Sequence, residues 1–253
     1  MSVLKEELGD GFYNITLNRP EKKNALNFEL LNALHQALRN AEKEGSSIVV
    51  IRGAGGTFSA GGDIGEFSTM EGPEQMSAGM DFLNKSILLI RKINAVVVAV
   101  LEGAVAGAGV GLSLACDLSV AARNAFINLA FRRVGFAPDG GTSLLLPRIA
   151  GAKKSNELFL FARNVDMNEA AALGLVNFVW EEDGFEENLQ KMISDLKALP
   201  IESIEHFKSL TNNAVFSGLE AQLSQEQAAN CDLFGRPTFK KRLEEMFARK
   251  AGR

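Results

Sequence analysis

The stretch that decides the fold is residues 95–111, which read AVVVAVLEGAVAGAGVG. Its first seven residues are apolar and rich in valine, which predicts a short strand buried on both faces. Glycine and alanine dominate from Gly103 to Gly111, and this composition predicts a turn where a ligand can approach the backbone closely. Residues 112–116 continue as the start of a buried helix. A strand, a glycine-rich turn and a helix in this order indicate an α/β protein.

Two more glycine-rich segments follow strand-like runs elsewhere in the chain. Residues 57–64 read TFSAGGDI after the apolar run 48–52, and residues 135–142 read GFAPDGGT after the run 126–129. Where such a turn leads into a helix, the first N–H groups of the helix lack partners, and the helix dipole favours negative charge there. Two turns of this kind that face each other would form an oxyanion hole.

The remaining pattern is rich in strands over the first two thirds of the chain and helical at the end. Strands are predicted at 12–18, 118–121 and 176–180, and amphipathic helices after the N-cap residue Asn27, after Pro73 and over 143–149. Every segment beyond Gly184 has a helical pattern. Since no low-complexity linker interrupts the chain, the sequence predicts one α/β domain over residues 1–195 with a helical region over residues 196–253.

Composition excludes several classes of function. The 253 residues carry a formal net charge of -4, which argues against a nucleic-acid partner but permits a phosphate ligand held by a few local lysines. No apolar run is long enough to span a bilayer, and residues 1–10 do not have the pattern of a signal peptide, so we expect a cytoplasmic protein with no membrane partner. Cys116 and Cys231 lack the spacing of a zinc or redox pair and indicate reduced thiols.

The sequence does not match the motifs of three familiar kinds of functional site. Residues 107–111 give G-x-G-x-G rather than the dinucleotide fingerprint, and no acidic residue follows at the distance that a ribose requires. Residues 111–115 resemble a hydrolase nucleophile elbow but lack its final glycine. His35 and His206 lie in helical patterns, where a surface or packing role is expected, and the sequence has no His-rich metal motif.

Several segments together carry a resemblance to one family. They are Asn18-Arg19-Pro20 with Asn24-Ala25-Leu26, residues 58–64, the turn after residues 95–101 with Ala115-Cys116-Asp117, residues 135–142 with Pro147-Arg148, and residues 170–176. In combination they resemble the enoyl-CoA hydratase/isomerase, or crotonase, superfamily over nearly the whole chain. The resemblance implies an α/β fold with a ββα spiral core and C-terminal helices that build a homotrimer, often paired into a hexamer.

The resemblance also implies a site for an acyl-CoA thioester that needs no metal and no cofactor beyond the coenzyme A of the substrate. The oxyanion hole is expected from the N–H groups of Ala60 and Ala108. The residues expected to bind CoA are Lys22, Lys23, Ala25, Gly61, Asp63, Ile64, Phe247 and Lys250, the last two near a neighbouring subunit. The acyl pocket is expected to include Phe67, Gly111 and Phe131. Asp63 is also expected to cap a short helix.

Asp139 is the residue on which the predicted reaction depends. The resemblance implies that hydratases of this family use two glutamates. The matching positions in this sequence are Gly111 and Phe131, and neither residue can move a proton. The neighbours of Asp139 are apolar, which makes its carboxylate a better base. The alternative is that Asp139 only caps the following helix. With the resemblance, the sequence predicts a Δ3-Δ2 enoyl-CoA isomerase. An isomerase of epoxyphenylacetyl-CoA, residual hydratase activity and a non-catalytic acyl-CoA binder remain as alternatives.

Overall fold

The computed structural model describes residues 2–251, with side chains over residues 2–248. The strands are β1 Leu4–Leu8, β2 Phe12–Leu17, β3 Ile48–Gly53, β4 Val96–Leu101, β5 Ala104–Ala106, β6 Leu118–Ala122, β7 Phe126–Asn128, β8 Val165–Asp166 and β9 Phe178–Trp180. The helices are α1 Phe28–Lys43, α2 Ile64–Phe67, α3 Pro73–Lys92, α4 Ala108–Ala115, α5 Phe131–Val134, α6 Thr142–Ala150, α7 Ala152–Phe161, α8 Met167–Ala172, α9 Phe185–Lys197, α10 Ile201–Val215, α11 Leu219–Phe234 and α12 Pro237–Ala251.

The larger sheet has six strands in the order β1-β2-β3-β4-β6-β9. The β1–β2 pair is antiparallel, and the other pairs are parallel. Strand β1 was not predicted from the sequence, because only Leu4 of its five residues is buried. A strand with one buried residue has no alternation of apolar and polar positions from which it could be predicted.

The central strand β4 confirms the prediction made from its valines. All six of its residues are buried, and it lies between β3 and β6. One face of the sheet packs against a core that includes apolar residues of α1, α3 and α4, and the other packs against α9 through Phe185, Leu189 and Ile193. Burial on both faces explains why this strand has no polar position.

A second, three-stranded sheet has the order β5-β7-β8 and lies beside the glycine-rich turns. Residues 104–106 pair in parallel with β7, so the prediction that all of residues 103–111 form one turn was wrong in this part. Gly103 has φ +54, and a Cβ there would lie 2.4 Å from the Gly56 oxygen, which explains why glycine separates β4 from β5. β5 leads directly into α4, which begins at Ala108.

Residues 185–251 form four helices, α9 to α12, joined by short connections, as predicted. α11 packs against α3 and α6, and α12 packs against α5. Because α6 follows the third glycine-rich segment, α11 lies beside that segment. None of the helices within residues 2–251 has the length and apolar character needed to cross a membrane.

Candidate active site

A cavity of about 380 Å³ lies where the three glycine-rich segments meet. Ala60, Gly61, Gly62 and Ile64 line it from the first segment, Ala104, Ala106, Gly107 and Ala108 from the second, and Phe136 and Asp139 from the third. Phe67 and Phe131 also line the cavity. The fold therefore brings together segments whose first residues, 57, 103 and 135, are far apart in the sequence, as parallel strands with connecting helices do.

The N–H group of Gly62 is available to a ligand. Leu26 forms a parallel bridge with Gly62, in which the Leu26 N–H donates to the Gly61 oxygen at 2.8 Å and the Asp63 N–H donates to the Leu26 oxygen at 3.1 Å. In such a bridge the N–H of the central residue points away from the partner strand. The Gly62 N–H has no acceptor within residues 2–251, and Gly62 lines the cavity.

The N–H group of Ala108 is the second available donor. Ala108 is the first residue of α4, and the preceding N-cap residue, Gly107, has no side chain to satisfy it. Ala108 also lines the cavity, and its N–H has no acceptor in the described part of the chain. A Cβ on Gly61 would lie 2.8 Å from the Ala106 oxygen, so the two turns are in direct contact. This geometry places two free amides beside the same cavity.

The expectation that Ala60 supplies one of these donors is corrected by the structure. The Ala60 N–H donates to the Lys23 oxygen at 2.9 Å, so it is not free. Ala60 and Asp63 both donate to residues 23–26 although they are three positions apart. Gly61, with φ +88, breaks the alternation of the extended chain between them. The free amide is therefore that of Gly62. The prediction was wrong because the irregular backbone at Gly61 could not be anticipated from the sequence pattern.

The first loop owes its shape to Asn24, which is completely buried and has φ 51. Its side-chain oxygen accepts the Arg19 N–H at 2.9 Å, and its amide nitrogen donates to the Ala54 oxygen at 2.9 Å. The Ser59 hydroxyl donates to the Asn24 carbonyl at 2.9 Å. Asparagine tolerates this left-handed conformation better than most residues. These bonds fasten the loop at residues 19–25 to the turn that carries Gly62.

Asp63 has a structural role in this loop. Its carboxylate accepts the N–H of Gly65 at 2.9 Å at the start of α2, which confirms the predicted cap. The same carboxylate forms a salt bridge of 2.8 Å with Arg19, and both side chains are largely buried. Asp63 does not line the cavity. The expectation that it contacts CoA therefore has no support in this geometry.

Asp139 has a carboxyl group without a hydrogen-bond partner. Its Oδ1 is buried, and neither carboxyl oxygen accepts a hydrogen bond from a residue in the range 2–248. Burial raises the pKa of the Asp139 carboxyl well above the ordinary value, and the negative charge of Glu226 raises this pKa further. An unpaired carboxyl that lines a cavity and has a raised pKa has the properties of a general base.

The alternative, that Asp139 caps the next helix, is wrong. α6 begins at Thr142, and Asp139 contributes only its main-chain oxygen, which accepts the Thr142 N–H at 3.0 Å. The capping carboxylate belongs to Glu226, which accepts the N–H groups of Gly141 and Ser143, each at 2.8 Å. The side chain of Asp139 therefore does not cap α6.

Gly111 lies beneath the Asp139 loop and does not line the cavity. A Cβ at Gly111 would lie 2.6 Å from the Gly140 oxygen and 3.0 Å from the Asp139 oxygen. The expectation that Gly111 belongs to the acyl pocket is therefore wrong. Phe131 and Phe67 do line the cavity, and Phe67 packs edge to face against Phe136 with ring centroids 5.5 Å apart.

A smaller apolar chamber of about 30 Å³ lies on the other side of Asp139. It shares Gly62, Phe67, Ala108 and Asp139 with the main cavity and is otherwise lined by Leu26, Phe28, Leu31, Met76, Gly79, Met80 and Leu83. Apart from Asp139, its lining side chains are all apolar. This chamber was not predicted from the sequence, because α1 and α3 enclose it from two distant parts of the chain.

The other residues expected to bind CoA are divided between the cavity and the surface. Lys23, Gly61 and Ile64 line the cavity, whereas Lys22 is exposed and Ala25 is buried away from it. Phe247 is exposed, and its neighbour Met246 lines the cavity. The side chain of Lys250 lies outside the described residues. Asn128, Arg133 and Asn164 also line the cavity and were not predicted.

The fold and this site define a known class of protein. Residues 7–251 match the family model described as enoyl-CoA hydratase/isomerase, and the chain therefore belongs to this family, the crotonase superfamily. The solved enoyl-CoA hydratase of Bacillus halodurans has a TM-score of 0.91 and 29% identity, with 96% of this chain and 100% of that chain covered.

Two curated relatives are similar at a comparable level. One is the 1,2-epoxyphenylacetyl-CoA isomerase of Escherichia coli, which is 29% identical over 231 residues, covering 90% of this chain and 88% of that protein. The other is the enoyl-CoA delta isomerase 2 of Rattus norvegicus, which is 31% identical over 207 residues, covering 79% of this chain and 52% of that protein. Members of the family thus act on CoA thioesters by different reactions.

Proposed function

We propose that this chain is a Δ3-Δ2 enoyl-CoA isomerase in which Asp139 moves one proton. The observation that carries the proposal is the unpaired Asp139 carboxyl, whose Oδ1 is buried, beside the free amides of Gly62 and Ala108. This arrangement supplies one base and an oxyanion hole, which is what a 1,3-proton transfer next to a thioester requires.

In the proposed reaction the Asp139 carboxylate removes a proton from C2 of a 3-enoyl thioester. The electrons of the C2–H bond form a dienolate, whose oxygen accepts hydrogen bonds from the N–H groups of Gly62 and Ala108. The protonated Asp139 then returns the proton to C4, and the double bond moves to C2–C3. Each amide donor is expected to stabilise the transition state by about 3 to 4 kcal/mol.

The geometry around Gly111 supports isomerisation over hydration. Addition of water requires a water molecule held between an acid and a base. Gly111, which matches one glutamate position of the hydratases, is covered by the main chain of residues 139–140, so a glutamate does not fit there unless the loop moves. Phe131 occupies the other position and is apolar. Asp139 is then the one carboxyl group that lines either chamber in the described residues.

The CoA part of the substrate is proposed to leave the cavity past Lys23, Gly61 and Ile64. Lys23 is a cation at the edge of the cavity and suits a phosphate. The acyl part is proposed to pass between Phe67 and Phe131, past Asp139 and towards the small apolar chamber.

Exchange of the C2 proton in D2O tests the proposal. The wild-type protein is expected to convert a straight-chain 3-enoyl-CoA to its 2-enoyl isomer and to exchange the C2 proton. Asp139→Asn is expected to lower both rates by about 10² to 10⁴-fold. Asp81→Asn, which changes an exposed carboxylate of α3 outside the cavity, is the matched control and should leave both rates unchanged. Equally slow exchange by wild type and Asp139→Asn would reject the proposal and favour a non-catalytic acyl-CoA binder.

A second candidate keeps the same base and changes the substrate. Phe67, Phe131 and Phe136 line the cavity and suit an aromatic acyl group, and the Escherichia coli relative is a 1,2-epoxyphenylacetyl-CoA isomerase. Turnover of a ring-1,2-epoxyphenylacetyl-CoA without turnover of any straight-chain 3-enoyl-CoA would favour this candidate.

A further inference from the structure

We propose that Glu226 and Asn230, two buried side chains one helical turn apart on α11, are positioning residues that hold the Asp139 carboxyl at the cavity. The inference rests on the function proposed above, because it concerns the carboxyl that moves the proton. Neither Glu226 nor Asn230 lines the cavity or the small chamber, so they act through the loop and not on the substrate.

Glu226 holds the loop on the C-terminal side of Asp139. Its Oε2 accepts the Gly141 N–H at 2.8 Å, and its Oε1 accepts the Ser143 N–H at 2.8 Å. Gln222, one turn earlier on α11, donates to the Ser143 hydroxyl at 2.8 Å. Two bonds from main-chain donors to one carboxylate are strong and fix the direction in which the chain leaves Asp139.

Asn230 holds the loop on the N-terminal side of Asp139. Its Oδ1 accepts the Ala137 N–H at 2.9 Å, and its Nδ2 donates to the oxygens of Ala137 at 3.2 Å and Pro138 at 3.4 Å. One face of α11 therefore binds the loop two residues before Asp139 and two residues after it. Asp139 lies between these attachments, and its carboxyl group has no hydrogen bond to any described side chain. The direction of the Asp139 side chain therefore depends on the conformation of the loop.

Burial distinguishes these two residues from ordinary surface polar groups. Glu226 is 4% exposed and Asn230 is completely buried. A buried carboxylate destabilises a protein unless hydrogen bonds compensate for its lost hydration. Glu226 receives that compensation from the N-terminal end of α6, where its charge also interacts favourably with the helix dipole. Burial raises the pKa of Glu226 above its ordinary value, and the bonds from Ser143 and Gly141 offset only part of this rise.

The charge of Glu226 is also the one that bears most directly on Asp139. α4, which lies beneath the loop, has no ionisable side chain. On α3, Asp81 is exposed and bonded to Gln227, and on the cavity side Lys23 and Arg133 are the cations. The carboxylate of Glu226 raises the pKa of Asp139, so removal of this charge lowers that pKa.

The chain offers a matched control in the next residue of the same helix. Gln227 binds Ser77, Asn84 and Asp81 of α3 and makes no bond to the loop. Gln227→Ala therefore weakens the attachment of α11 to α3 without releasing Asp139. The test compares Glu226→Gln, Asn230→Ala and Gln227→Ala by acyl-CoA proton exchange in D2O and by NMR titration of the Asp139 carboxyl.

Glu226→Gln and Asn230→Ala are expected to lower kcat for proton exchange by about 10²-fold, with little change in KM, because a small misplacement of the base suffices for such a loss. Glu226→Gln should also move the NMR titration of Asp139 to lower pH, while Gln227→Ala leaves it unchanged. An unmoved titration in folded Glu226→Gln, or an equal loss of kcat in Gln227→Ala, overturns the inference. If Glu226→Gln does not fold, Asn230→Ala and Asn230→Ser decide by the same kcat-against-KM comparison. The NMR titration does not depend on turnover, so it separates failure of this inference from failure of the proposed function.

Discussion

Gly111 lies directly beneath Gly140, so closely that a Cβ on Gly111 would be 2.6 Å from the Gly140 carbonyl oxygen. The contact fixes the height of the Asp139 loop above α4, because both groups belong to the main chain and cannot rotate away. Glycine is required at position 111 for this close approach.

Gly111→Ala is expected to destabilise the protein and to lower the rate of proton exchange, because the added methyl group forces the Asp139 loop outwards. Overpacking of this kind typically costs about 1 to 3 kcal/mol. Thermal unfolding and D2O exchange measure the two effects. Gly72→Ala is the control, since a Cβ on Gly72 meets no atom within 4 Å. Unchanged stability and rate in Gly111→Ala would show that the loop is not seated on this glycine.

Asp139→Asn is expected to raise the stability of the protein near neutral pH. The pKa of Asp139 is raised on folding, so between its ordinary and its raised pKa the native state binds the proton more tightly than the unfolded chain does. Stability from this group is therefore lost as the pH rises from the ordinary pKa of aspartate through the raised one. The midpoint of thermal unfolding should rise by about 2 to 4 °C for each kcal/mol recovered. A lower midpoint for Asp139→Asn at pH 7 would contradict this expectation.

The rate should depend on pH through the same carboxyl. Asp139 acts as a base only when ionised, so kcat/KM should fall as the pH drops through its raised pKa. The decline should begin at a higher pH than for an ordinary aspartate. The measurement is kcat/KM for a 3-enoyl-CoA against pH, with Asp81→Asn as the control. A profile that stays flat down to about pH 4, the ordinary range of aspartate, is the contrary result.

Met80 and Gly79 are expected to set the acyl length in opposite directions. Met80→Ala enlarges the small chamber, so longer substrates gain about 0.8 kcal/mol, or about fourfold in kcat/KM, for each methylene that finds room. Gly79→Ala places a Cβ 1.7 Å from the Phe28 ring and pushes this ring towards the chamber, so kcat/KM for longer substrates is expected to fall.

The measurement is kcat/KM for a series of 3-enoyl-CoA esters of increasing length. Met192→Ala is the control, because Met192 packs on the opposite face of the sheet. If Met80→Ala and Gly79→Ala change the preference in the same direction, the acyl chain does not enter this chamber.

The oligomer predicted from the family resemblance can be tested on α10. Phe207 and Leu210 are three residues apart and are 70% and 69% exposed, so they share one face of the helix. Large apolar side chains with this exposure are typical of an interface between proteins. We expect a trimer or a dimer of trimers in sedimentation experiments, and we expect Leu210→Glu to dissociate it. A monomeric wild-type protein would contradict the expectation.

Local sequence signals predicted the parts of the fold that depend on neighbouring residues. The valines of β4 indicated a strand buried on both faces, and Asn27 indicated the start of α1, where its side chain accepts the Leu30 N–H. The role of Asp139 came from the family resemblance and stays a prediction. The signals for β4 and α1 each lie within a few residues of the element that they predict.

The parts that the sequence did not predict depend on contacts between distant residues. Glu226 bonds to Gly141 across 85 positions in the chain, and no local pattern links the two. The available amide is that of Gly62 rather than Ala60 because Lys23 already accepts the Ala60 N–H, a pairing that exists only in the folded chain. The signal in the sequence is the helical spacing of Glu226 with Leu219 and Leu223, which places a glutamate on the apolar, buried face of α11. This placement could have indicated a buried contact.

The contact between Gly61 and the end of β5 has an evolutionary consequence for the whole site. The two turns proposed to hold the thioester oxygen touch through main-chain atoms, with no side chain between them. Substitutions elsewhere can therefore exchange one acid for another, or reshape the acyl chamber, without moving the two main-chain amides proposed to bind the carbonyl oxygen. A scaffold in which the backbone polarises the substrate and separate side chains choose the reaction can diversify its chemistry one residue at a time.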